Sequence, residues 1–192
     1  SRRGGSGGGE RGVQSRLEVD GPQFSQIALS QLHYLKKLLH IISHSVPFKP
    51  NLTRLSERTG ISLNTLKSYL GHLRDARLIA MLYFPDKSLS SLNKTEKIFL
   101  DNTNLMVSLV GGQVNKGNMR ETFFFNQLVN TYEVHAVKNG DFLAANQFVF
   151  EVGGKRKSNR QIKQQDAAYV VQDDMEIGSG NTIPLWLFGF LY

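Results

Sequence analysis

There is no cysteine in the 192 residues of this chain. That excludes a disulfide-stapled scaffold, a cysteine-based zinc site and a cysteine nucleophile. Also missing is any apolar run near the roughly 20 residues that a membrane-spanning helix needs. The apolar end, Ile183 to Tyr192, is short and is interrupted by Pro184 and Gly189. No GxxxxGK[ST] motif occurs, so these residues cannot cradle ATP phosphates in a phosphate loop. The first residues, SRRGGSGGGERG, are glycine-rich rather than apolar and do not read as a signal peptide. The simplest reading is a cytoplasmic protein with no membrane partner.

What is present is ordinary for a globular chain. Hydrophobic residues make up 40% and charged residues 20%, and the length allows one sizeable domain or two small ones. The net charge is +7, of which residues 1–16 contribute +3 through four arginines against Glu10. The remaining excess permits nucleic-acid binding without demanding it. Residues 1–22 cannot bury a core and read as a flexible tail or linker, the place where a longer polypeptide would be joined.

From Gln23 to Ser45, Ile27, Leu32, Leu35, Leu38, Leu39 and Ile42 recur at helical spacing, and Pro47 and Pro50 stop the helix. A short helix carrying Leu52 and Leu55 follows, then a turn at Gly60. Ser62 or Asn64 caps a second helix bearing Leu66, Tyr69, Leu70 and Leu73. Strands are expected over Leu78–Phe84 and Lys97–Leu100. This order is that of a winged helix-turn-helix over residues 23–100. Its reading helix would offer Asn64, Thr65, Lys67 and Ser68 to DNA bases and phosphates, with Arg54 and Arg58 adding phosphate contacts. Between residues 51 and 79 there are five basic and two acidic side chains, a mild positive bias. The alternative for such a module is protein interaction.

Residues 101–192 read as a small α/β domain. Helices are expected over Asn104–Leu109 and Asn118–Asn130, the second with a Phe123–Phe125 run that belongs to a core. Short strands are expected over Tyr132–Val137, Asp141–Ala144, Gln147–Val152 and Ala168–Val171. A polar helix is expected over 158–165, and PLWLFGFLY closes the chain as a short helix. The whole is therefore an α+β or α/β protein.

The stretch DFLAANQFVFEVGGKRK, residues 141–157, carries the sharpest chemical signal. If its two strands pair as a hairpin, Asp141 and Glu151 fall at adjacent levels. A Mg²⁺ ion could then bridge them, with Glu121 reaching in from the preceding helix and Lys155 steadying developing charge. A working site of this kind places its lysine two residues after the second acid, on one face of one strand. Position 153 is glycine, and Lys155 lies four residues on, so a Gly-Gly bulge would have to re-aim it. The competing reading makes both acids ordinary strand-end carboxylates. Lys155, Arg156, Lys157, Arg160 and Lys163 form a basic cluster that is either a phosphate-binding rim or a solvated face. His33, His40, His44, His72 and His135 lack tight metal spacing. His40 and His44 sit four apart on one helix, without a third ligand nearby.

The ordered motifs VPFKPNLTRLSERTGIS, LDNTNLM, RETFF, FEVGGK and IPLWLFG resemble the C-terminal region of a prokaryotic family of AAA-type ATPases, from about residue 30 to 192. The resemblance implies an upstream ATPase domain on the same polypeptide, a winged helix, and a domain of unknown function related to the restriction-endonuclease-like fold. Glu121, Asp141, Glu151 and Lys155 fall on its nuclease-like positions, but Glu151-Val-Gly-Gly-Lys155 replaces the usual E-x-K. The first expectation is therefore a non-enzymatic module that binds nucleic acid or a partner. A Mg²⁺-dependent nuclease and a protein-interaction or assembly domain, including self-association, are the alternatives.

Overall fold

The computed structural model describes residues 29–85, 95–112, 114–155, 162 and 165–191. The tail 1–22, the basic side chains Arg156, Lys157, Arg160 and Lys163, and most of the helix expected over 158–165 lie outside them. The chain divides into two compact units. One comprises residues up to 81 and 91–114, the other 82–90 and 115 onward. The protein is mixed α and β, with helices preceding most of the strands.

The first unit opens with α1 (Leu29–Ser43), which buries Leu35, Leu38, Leu39 and Ile42. This is the apolar stripe expected from 3.6-residue spacing. Helix α2 (Leu52–Thr59) starts where Asn51 accepts a hydrogen bond from the Arg54 N–H at 2.9 Å. It ends at Gly60, whose φ of 72° is left-handed and whose N–H donates to the Ser56 carbonyl. Helix α3 (Leu63–Asp75) is capped by Ser62, which accepts from the Thr65 N–H. Its inner stripe is Leu66, Tyr69, Leu70 and Leu73. Strands β1 (Ile79–Tyr83) and β2 (Thr95–Leu100) form a two-stranded sheet. Helix α4 (Thr103–Val110), capped by Asn102, belongs to this first unit, which therefore extends past residue 100.

The second unit begins with α5 (Lys116–Leu128). Five strands follow: β3 (Val134–His135), β4 (Phe142–Ala144), β5 (Phe148–Gly153), β6 (Ala168–Gln172) and β7 (Thr182–Pro184). They form one mixed sheet in the order β3-β4-β5-β6-β7. Strands β3, β4 and β5 run antiparallel, and β5, β6 and β7 run parallel. A 3-10 helix (Leu185–Phe190) ends the fold. The helix expected from Pro184 onward is thus this 3-10 helix, and Thr182, Ile183 and Pro184 before it form an edge strand. Proline is tolerated there because an edge residue need not donate to the ladder.

Strand β5 is covered on both sides. Register places Phe142 opposite Phe150 and Phe150 beside Tyr169, and α5 packs on that face. The Phe124 ring, fully buried, lies 5.4 Å from Phe142, 5.1 Å from Phe150 and 4.6 Å from Phe188. On the opposite face Val149, Ile162, Ala168 and Val170 form a second cluster with Val137 and Leu143. Ile162 comes from the connection between β5 and β6 and packs on this second face. No helix among the described residues is long and apolar enough to cross a membrane.

Strand β4 starts at a strained turn. Gly140 has φ 132°, and a Cβ there would meet Val149 Cγ1 at 2.8 Å and Val137 Cγ1 at 3.2 Å. Gly140→Ala is expected to destabilise the fold by about 1–3 kcal/mol, read as a lower urea midpoint with an unchanged slope. A midpoint equal to that of the parent would show that the turn carries no such constraint.

Candidate functional site

The strand pair β4–β5 forms the expected hairpin, with Phe142, Leu143 and Ala144 opposite Phe150, Val149 and Phe148. Asp141 and Glu151 therefore lie at the next level. Their environments differ. The Asp141 N–H donates to the Phe150 carbonyl at 2.8 Å, and its Oδ2 accepts the Val152 N–H at 2.8 Å. Gly140 turns the chain away at this point, so the carboxylate takes the place in the ladder that another backbone carbonyl would occupy. Glu151 is fully buried. It alternates onto the face of Val149, and β6 sets Val170 beside it.

Glu121 approaches from elsewhere. On α5 it shares one stripe with Phe124, Phe125 and Leu128, at helical spacings of three, four and seven. That stripe packs on the Phe142–Phe150 face, opposite to the one Glu151 joins. Lys155 is exposed, in a turn two residues beyond the end of β5. Among the described residues no group of three His, Asp or Glu side chains is placed to hold a metal ion. Asp141 and Glu151 are neighbours across the β4–β5 pair, and Glu121 does not complete a group of three with them. His40 and His44 stack with ring centroids 4.4 Å apart, and His44 Nδ1 lies 2.9 Å from the His40 carbonyl, a local helix contact.

A different polar cluster stands at the ends of β5 and β6. Arg120 Nε donates to Asp173 Oδ2 at 2.8 Å, and Nη2 lies 3.9 Å from Asp174 Oδ2. The Asp174 N–H donates to Asp173 Oδ1, and the Asp173 N–H to the Gly153 carbonyl. A Cβ on Gly154 would sit 3.2 Å from Arg120 Nη1. The second glycine of the Gly-Gly pair therefore gives the guanidinium room to lie along the backbone. Sequence reading missed this cluster. The adjacent acids of VVQDD were its visible sign, but their partner lies 53 residues away.

In the first unit lie the residues that the sequence offered as DNA contacts. Arg54, Arg58, Asn64, Thr65 and Ser68 are exposed and Lys67 is half-buried. The Thr65 hydroxyl is 2.8 Å from that of Ser62, and Ser68 Oγ is 3.3 Å from His72 Nε2. Two of the five basic side chains are directed to acids: Arg74 to Asp75 at 3.0 Å and Arg77 to Asp101 at 3.5 Å. The positive face is thus carried by Arg54, Arg58 and Lys67.

Burial pushes the Asp173 carboxyl up, but the hydrogen bond from Arg120, the Asp174 N–H and the charges of Arg120 and Lys116 outweigh it and hold it below the usual range. A lowered folded-state value means stability that is present above the unfolded value, about pH 4. That stability disappears as pH falls through the lowered one. Asp173→Asn should flatten the acid side of the stability curve between neutral pH and about pH 3, measured by urea midpoints along a pH series. Identical slopes in parent and variant would contradict the assignment.

No curated protein matches this chain, and no solved structure does. A family model, a domain of unknown function (DUF8612), matches residues 10–116. More than half of the sequence falls within that match, and the chain belongs to the DUF8612 family.

Proposed function

We propose that this protein is the C-terminal, non-ATPase region of an AAA-type ATPase, and that its first unit is a winged helix that binds DNA. The observation that carries this reading is the display of Asn64, Thr65, Lys67 and Ser68 on the N-terminal half of α3, beside exposed Arg54 and Arg58. Two short helices joined by a tight turn at Gly60, followed by a two-stranded sheet, support it. The capped N-terminus of such a helix is the part that meets base edges and phosphates in the major groove. The ordered motifs shared with the ATPase family support the larger context: an upstream ATPase domain on the same polypeptide and a cytoplasmic setting.

The second unit is, in this reading, a restriction-endonuclease-like scaffold that does not cut. Asp141 is engaged in closing the ladder, Glu151 is fully buried on the Val149 face, Glu121 lies on a helix over the other face, and Lys155 stands beyond the strand. A phosphodiesterase needs these groups convergent on one open face where a phosphate can enter. Their dispersal favours binding over cleavage.

Fluorescence anisotropy with labelled duplex DNA tests the proposal. The affinity should fall linearly with salt on logarithmic axes, and Arg58→Ala and Lys67→Ala should each lower the slope by about one while weakening binding to all sequences alike. Asp141→Asn should leave DNA intact to the same degree as the parent when Mg²⁺ is added. A salt-independent affinity, or variants that bind like the parent, would move the function to protein interaction. Mg²⁺-dependent cleavage that vanishes in Asp141→Asn would establish the nuclease alternative.

A further inference from the structure

The 3-10 helix Leu185–Phe190 is sorted by its three-residue period. Leu185 is buried, and Phe188 turns inward, with its ring 4.6 Å from Phe124 and 5.8 Å from Phe150. The intervening residues face solvent: Trp186 is 51% exposed, Leu187 42% and Phe190 63%. Phe188 and Leu191 also help to line an open cavity of about 340 Å³, whose other walls include Leu128, Phe148, Phe150 and Tyr169. Among the described residues, no side chain lining it carries a charge. Tyr132 stands at the cavity and is itself 43% exposed.

A hole and its plugs thus lie on one short element. A small ligand would fill the cavity but leave Trp186 and Phe190 in water, and among the described lining side chains it would find only the phenol groups of Tyr132 and Tyr169 to orient it. A protein surface covers both. The patch provides its own complement, which is what a two-fold contact between identical chains requires, since the same surface must act as donor and acceptor. With roughly 150–250 Å² for each aromatic side chain, Trp186, Phe190 and Tyr132 leave roughly 300 Å² open. Leu187, Val129 and the cavity wall bring the patch to roughly 500 Å² of apolar surface, more than scattered single residues expose. Two copies would cover about 1,000 Å², the lower end of specific interfaces.

We infer that the second unit forms a two-fold homodimer through this patch, with Phe190 of each copy seated against the cavity of the other. The association is concentration-dependent because the area is small. It does not depend on the DNA-binding reading, since its residues lie in the other unit.

Sedimentation velocity over a concentration series of the whole chain tests it. The parent should pass from monomer to dimer. Phe190→Glu should weaken the association about tenfold or more, with circular dichroism and melting temperature unchanged. Val107→Glu, at an exposed apolar position of the first unit, should associate like the parent. Trp186 is the sole tryptophan, so its emission should also shift to the blue as the dimer forms, a readout that needs no variant. A monomer at every concentration overturns the inference. So does a dimer that Phe190→Glu leaves intact, one that Val107→Glu abolishes, or tryptophan emission that does not change on association.

Discussion

Strand β5 is buried on both faces, and the second unit is organised around that constraint. Its Phe150 face needs a cover, which α5 and the 3-10 helix supply through Phe124 and Phe188. Its Val149 face needs another, and the connection to β6 supplies Ile162. A parallel neighbour on one side makes such a crossover obligatory, because the chain must return to the same end of the sheet before it can pair. The antiparallel neighbour β4 needs only a short turn. The mixed sheet follows from these two kinds of connection meeting at one strand.

The same constraint governs the chemistry. A side chain on β5 has no solvent-facing side to occupy, so Glu151 is fully buried on the Val149 face. Two polar side chains of this unit serve as closures. Asp141 finishes the ladder that Gly140 leaves, and Arg120 ties α5 to the residues that follow β6. Gly154 is small because the Arg120 guanidinium lies against it. The first unit follows a different rule. Its caps at Asn51, Gly60 and Ser62 consume backbone groups, and the side chains of the α3 N-terminus stay outside. Exposed polar side chains therefore head a helix in the first unit, whereas in the second the described charges of Asp141 and Arg120 are engaged with the backbone and with Asp173.

Much of the fold was legible before folding was considered. Apolar spacing located α1, α3 and α5, and side-chain caps located helix starts. The alternation around Phe142 and Phe150 gave a hairpin whose register placed Asp141 and Glu151 level. Those features depend on residues a few positions apart, where a side chain's neighbours follow from backbone geometry. The three-residue strand β7 escaped because Thr182, Ile183 and Pro184 are too few to show alternation. What makes them a strand is pairing with Val170, Val171 and Gln172.

The sequence by itself determined most of the helices and strands, that Asp141 and Glu151 share a hairpin, and which polar residues head the α3 helix. The tertiary structure alone decided that Glu121 and Glu151 belong to opposite faces of one sheet, that Asp173 answers Arg120 across 53 residues, and that Phe190 stays outside while Phe188 goes in. The reason is that periodicity tells which residues share a face but not what covers it. Only packing of elements distant in sequence determines whether a carboxylate meets water, an arginine or a wall of aromatic rings.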